Sequence, residues 1–217
     1  MTLSHALELI SSKELLPGDE ARSIMLPEYR RKEALHQPSE LANWREAAVL
    51  ILLYEENGQA CFPLILRVDG PGVHANQVSL PGGAREPGED LQNCAIRETA
   101  EETGVCPDDI RIIRELSPLQ VPPSRFTVQP FVGMLAQRPT FRPAPEEVAA
   151  IVVPTIDEML DPGNRAKEVL SIRGHDWLVP YYRLGGHRVW GATAMILAEL
   201  SAMIGRPGAL LQTVQVL

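Results

Sequence analysis

Cysteine is scarce in this sequence. Cys61, Cys94 and Cys106 are the three thiols in 217 residues, odd in number and with no Cys-x-x-Cys pair. That excludes a disulfide framework and fits reduced thiols in a cytoplasmic protein. Positive charge is short as well: 20 Lys and Arg against 28 Asp and Glu leave a net charge of −8, so no basic field invites DNA, RNA or anionic lipid. An anionic substrate must then be drawn in by something other than bulk charge, and a bound metal would serve. Long apolar runs are missing too. The longest, AAVLILLY from Ala47 to Tyr54, falls far short of the roughly 20 residues of a membrane span. The opening stretch has no basic region and carries Glu8 inside its apolar part, so it is not read as a signal peptide. Internal repeats and low-complexity tracts are absent. What is present, 45% hydrophobic and 22% charged residues, is ordinary for a soluble globular chain.

Patterning divides the chain at about residue 43. Residues 4–15 predict an amphipathic helix, with Leu3, Ala6, Leu7 and Ile10 at helical spacing. The stretch Leu16–Asn43 is polar and broken by proline, and Arg30–Gln37 reads as a short exposed segment. Residues 1–43 are therefore expected as a helical extension packed on a main domain of residues 44–217. That domain opens with Asn57-Gly58 between two apolar runs, which predicts a β-hairpin over about residues 46–55 and 60–68. Because those runs are continuously apolar, the sheet is expected to be covered on both faces. Ile110–Leu116, Thr127–Leu135 and Val148–Val153 are further strand candidates. A second hairpin is expected around Gly185-Gly186, followed by a helix over about Ala192–Ile204 capped by Gly205. Helices and strands mix without strict alternation, so the class is α+β with a mixed sheet between helices.

One segment resists a purely structural reading. RETAEETG, Arg97 to Gly104, ends a helix that starts near Asp90, yet it carries Glu98, Glu101 and Glu102. Carboxylates at the carbonyl end of a helix are disfavoured by about 0.3–1 kcal/mol each. Leu91, Ala95, Glu98 and Glu102 fall within an arc of about 60° at helical spacing, so the core-facing stripe ends in two acids. Glu98 and Glu102 are also like charges at i,i+4. Arg97 sits one turn before Glu101 and can hold a carboxylate in one rotamer. The bland alternative is a solvated acidic face with an Arg97–Glu101 surface pair. A divalent cation would instead turn every one of these penalties into an attraction.

Upstream residues favour the cation. From Gly83 to Gly104 the sequence reads G-x5-E-x7-R-E-x2-E-E-x-G, through Glu89 and Arg97. Such a set of fixed positions arises by chance about once in 10⁸ starts at average residue frequencies. The pattern resembles the Nudix box, and the chain is identified by it as similar to the Nudix hydrolase superfamily. Thr99 stands where that family prefers a bulky apolar residue. The resemblance implies an α/β/α sandwich with a mixed sheet, binding Mg²⁺ or Mn²⁺ and cleaving a nucleoside diphosphate linked to another group. Glu98, Glu101 and Glu102 would be metal ligands, with Gly83 lending close backbone approach and its carbonyl. Arg97 would orient a glutamate, Glu89 would support the site, and one carboxylate would double as base.

Flanking stretches resemble the coenzyme A pyrophosphatase branch: LILR and HANQVSLPGG before the box, then VPPSRFTVQPFVG, PAPEEVAAIVVPTIDEMLDP and VPYYRLGGHRVWGATAMIL. The implied reaction is coenzyme A to 3′,5′-ADP and 4′-phosphopantetheine. Cleavage of ADP-ribose, NADH or another nucleotide sugar stays open, as does a nucleotide-sensing module without catalysis. Glu147 is a candidate extra carboxylate near the metals, His74 and Gln77 are candidate substrate contacts, and Arg125 is a candidate for the 3′-phosphate. Tyr181, Tyr182 and Trp190 read as packing residues rather than adenine stackers. The expected partner is a small nucleotide, and a homodimer is left open.

Overall fold

The computed structural model describes residues 1–31, 44–69, 77–172, 174–205 and, by backbone alone, 32–34 and 215–216. The N-terminal segment folds as α1 (Leu3–Ser12), α2 (Gly18–Arg22), a 3-10 turn over Ser23–Met25 and α3 (Glu28–Ala34). The expected amphipathic helix is α1, ending earlier than its pattern suggested. The Arg30–Gln37 stretch is helical as far as Ala34; Arg31 is exposed, and Arg30 is half-buried, its Nη2 donating to the Gln120 carbonyl at 2.5 Å. Sequence polarity gives no hint of a carbonyl waiting 90 residues away. Residues 35–37 of that stretch lie outside the described residues.

β1 (Arg45–Glu56) turns at Asn57-Gly58, where φ is 52° and 75°, into β2 (Gln59–Cys61) with Tyr54 opposite Cys61. The hairpin expected to reach residue 68 stops there. Pro63 has no N–H for the ladder, the Phe62 N–H donates to the Pro154 carbonyl, and the chain leaves as β3 (Leu64–Arg67) for another sheet. β4 (Val78–Ser79), β5 (Gly82–Ala84) and α4 (Leu91–Thr103) follow. Then come β6 (Arg111–Glu115), β7 (Leu119–Val121), β8 (Phe126–Met134), β9 (Val148–Val152) and α5 (Ile156–Leu160). β10 (Arg165–Ile172), β11 (His175–Leu184), β12 (His187–Trp190), α6 (Gly191–Ile204) and β13 (Gln215–Val216) complete the order. The three expected strands are β6, β8 and β9, and the second hairpin is β11–β12. β10 escaped the pattern because Arg165, Lys167 and Glu168 interrupt its apolar residues; pairing with β11 makes it a strand. Gly205 follows α6 as expected, but in an extended conformation (φ −71°) rather than the left-handed one.

β1 is the spine of a mixed sheet ordered β2-β1-β8-β6, with β5 added on β1 and β7 on β8. β1 and β8 run parallel, and the other pairs are antiparallel. Alternate residues of β1 face opposite cores. Ala47, Ile51 and Leu53 pack with Ala6 and Ile10 of α1 and Leu197 and Leu200 of α6; Ala48, Leu50, Leu52 and Tyr54 pack with Cys94 and Ala95 of α4. This is the α+β sandwich expected from the continuously apolar run. Tyr181 and Tyr182 are buried packing residues, as read from the sequence. Among the described residues no helix is long and apolar enough to cross a membrane.

Candidate active site

α4 carries the acidic residues, and its two ends are finished differently. At the start, Asp90 Oδ1 accepts from the Asn93 N–H at 2.8 Å, an N-cap that satisfies one of the orphan donors. At the end, Gly104 takes the left-handed conformation (φ 73°). The chain between β8 and β9 then folds against the helix terminus: the Arg142 N–H donates to the Thr103 carbonyl at 2.8 Å and the Ala144 N–H to the Glu102 carbonyl at 3.3 Å. Backbone donors thus meet the carbonyl end that its own carboxylates cannot.

Each glutamate has its own surroundings. Glu98 lies over β5, where Gly83 pairs with Ala48; a Cβ on Gly83 would sit 2.3 Å from Glu98 Cδ and would push the carboxylate out of this position. Burial pushes the Glu98 carboxyl up, with Arg97 opposing. Glu102 is only 2% exposed. Its Oε2 accepts from the Gly82 N–H at 2.8 Å and its Oε1 from Arg67 Nη1 at 3.3 Å. Burial nevertheless pushes its carboxyl up to about 7, against the pull of Gly82 and Arg67. Glu101 is the open one, its side chain 60% exposed and paired with Arg97 at 3.1 Å.

Arg97 ties the acids together. Its Nε and Nη2 grip Glu89 at 2.8 and 3.0 Å, its Nη1 reaches Glu98 at 2.8 Å, and Nη2 also donates to the Ala84 carbonyl at 3.2 Å. The two-pronged grip holds the Glu89 carboxyl below its usual range. Behind it the Cys94 thiol, pushed up to about 11 chiefly by burial, stays protonated and donates to the Gly83 carbonyl at 3.6 Å.

Glu98, Glu101 and Glu102 face Ala144, Glu146 and Glu147 across a cavity of about 300 Å³. The structure therefore brings Glu98, Glu101, Glu102 and Glu147 together, with Arg97 and Gly83 against them. Gln77 lies just before β4, its carbonyl accepting from the Arg67 N–H, and does not line the cavity. Arg125 is exposed in the β7–β8 turn with φ 53° and is likewise not in the lining. His74 lies outside the described residues. Two residues were missed. Arg67 closes the apolar strand β3 and points its charge at Glu102; a cation ending the LILR run was the available signal. Glu146 cannot be told from its neighbour Glu147 without the fold.

Carboxylate oxygens are the donors that hard divalent cations take, so the lining fits Mg²⁺ or Mn²⁺ in its chemistry. Among the described residues no three acidic, histidine or cysteine side chains converge as a ready cage. The guanidinium groups of Arg97 and Arg67 instead engage those oxygens.

Known proteins point the same way. Residues 44–173 match the NUDIX domain model. The chain is 32% identical over 193 residues to the uncharacterized Nudix hydrolase NudL of Enterobacter sp. (strain 638), covering 86% of this chain and 98% of that protein. It is 33% identical over 167 residues to Nudix hydrolase 15, mitochondrial, of Arabidopsis thaliana, covering 73% of this chain and 58% of the plant protein. The chain thus spans little more than half the length of that plant relative. In fold it is similar to a bifunctional NMN adenylyltransferase/ADP ribose pyrophosphatase from Francisella tularensis (TM-score 0.52, 15% identity, 82% of this chain and 45% of that one).

Proposed function

The chain belongs to the Nudix hydrolases, and from that premise we propose that it hydrolyses the diphosphate bridge of coenzyme A to 3′,5′-ADP and 4′-phosphopantetheine. The observation that carries the reading is the cavity where Glu98, Glu101 and Glu102 of one helix end face Glu146 and Glu147. Coenzyme A in particular is supported by the likeness of the segments flanking the box to the coenzyme A branch.

Glu98, Glu101 and Glu102 would hold Mg²⁺ or Mn²⁺, with the Gly83 carbonyl at hand. The cation supplies charge neutralisation at the diphosphate and at the leaving phosphate. Arg97, clamped on Glu89, holds Glu98 and Glu101 beside the cavity through one oxygen of each. A carboxylate of Glu98, Glu101 or Glu147 left free takes the proton of the attacking water. Gln77, joined to Arg67 through the backbone, and Arg125 in the β7–β8 turn would meet the substrate outside the cavity's own lining.

Incubation with coenzyme A and, separately, with ADP-ribose in the presence of Mg²⁺ tests the assignment. Faster release of 3′,5′-ADP from coenzyme A is expected. Preferential turnover of ADP-ribose would move the substrate to the nucleotide sugars, and binding without product under either metal would make the protein a sensor.

A further inference from the structure

Arg67 holds two walls of the cavity at once. Its Nη1 donates to Glu102 on α4 at 3.3 Å, and its Nη2 lies 3.8 Å from Glu147 at the end of the β8–β9 connector. The backbone sets this reach. β3 and β9 slip register between Leu66 and Arg67, so that Leu66 is opposite Ala150 while Arg67 is opposite Val148. The next N–H, that of Val68, donates to the Glu147 carbonyl at 3.0 Å. A bulge of this kind re-aims the side chains beside it, and here those are Arg67 and Glu147. On the other wall, Glu102 is nearly out of reach of water, and Arg67 is the positive charge set against it.

Resting on the metal-dependent reading above, we propose that Arg67 is a positioning residue and the internal counter-ion of the site. In the metal-free protein it locks Glu102 to Glu147, and a divalent cation competes with its guanidinium for the same oxygens. Both walls are then preassembled before the cation arrives, because the arginine has already offset their mutual repulsion.

Calorimetric titration of Mn²⁺ into the substrate-free protein tests this. Arg67→Met is expected to bind Mn²⁺ about 1.5- to fivefold tighter than wild type, the weight of one partly exposed ion pair. Its unfolding midpoint is expected below that of wild type without metal, with the gap closing at saturating Mn²⁺. A residue that only braces the fold would lower the midpoint equally in both conditions and leave the affinity unchanged or weaker; either result overturns the proposal. Absence of Mn²⁺ uptake by wild type would instead remove the metal-dependent reading itself. Should Arg67→Met fail to fold, ¹⁵N spectra of the wild-type arginine Nε groups decide, with Arg67 assigned by its loss in Arg67→Lys. The Arg67 signal is expected to move as Mg²⁺ saturates, and a signal that stays fixed overturns the proposal.

Discussion

Side chains of one type do different chemistry here because their neighbours differ. Glu101 is exposed and Glu102 is sealed in, although they are adjacent in sequence. Glu101→Gln keeps the shape and removes the charge, and it is expected to lower turnover at least about 100-fold, the weight of a lost acid–base or ligand group. The metal-free unfolding midpoint should hold or rise, because one repulsion with Glu98 is gone; unchanged turnover would refute the role. For Glu102, folding raises the carboxyl from 4.5 to about 7. Between those values the folded chain keeps a proton that the unfolded chain has released, so this stabilisation is full below pH 4.5 and lost as pH rises through about 7. Urea unfolding in chelator should therefore show a loss of about 3 kcal/mol from this group between pH 4.5 and 8. The same slope should be flattened in Glu102→Gln. The depth of Glu102 was legible from its place on the stripe with Ala95. Its partners Gly82 and Arg67 were not, because strand register rather than helical spacing brings them.

At the scale of elements, α4 is a scaffold finished by other segments. Its inner face of Cys94, Ala95 and Thr99 lies fully buried on the sheet. Thr99, polar where a bulky apolar residue is usual, donates its hydroxyl to the Ala95 carbonyl at 2.7 Å and so brings no unpaired group into the core. The Asp90 cap is far along the helix from the acids, which separates stability from chemistry. Asp90→Ala is expected to cost about 1 kcal/mol in urea unfolding while leaving turnover per folded molecule within twofold, about the spread of ordinary surface changes. A loss of turnover without loss of stability would mean that the helix start also shapes the site. The register slip between β3 and β9 does the complementary work on the opposite wall.

For the molecule as a whole, the helices of residues 1–34 send side chains into the core of the following segment. Ala6, Ile10 and Met25 are fully buried in the cluster that includes β1 and α6. Arg22 is fully buried as well, 2.5 Å from the equally buried Glu199 of α6; it donates to the Ser117 and Pro118 carbonyls, while Glu199 accepts from the Ser117 hydroxyl at 2.7 Å. Removing one partner of such a pair strands the other charge, so Arg22→Met is expected to cost about 3–5 kcal/mol. Chemical denaturation measures it, and a cost below about 1 kcal/mol would mean that Glu199 is neutralised by other means. Nothing in the polar stretch Leu16–Asn43 announces this pair, since an arginine in a proline-broken segment reads as solvated.

Local rules made most of the chemistry readable. The spacing from Gly83 to Gly104, the Asn-Gly turn and the uninterrupted apolar run of β1 depend on neighbours a few residues apart, and a linear text records such distances. Long-range partnership is different in kind. Where Arg67, Glu146 and Glu147 meet the helix acids, where Pro63 sends β3 to another sheet, and that Arg22 belongs inside, depend on register and layer packing between segments far apart in the chain. Those choices are made by burial and by the need to satisfy every enclosed polar group, and they exist only once the chain has folded.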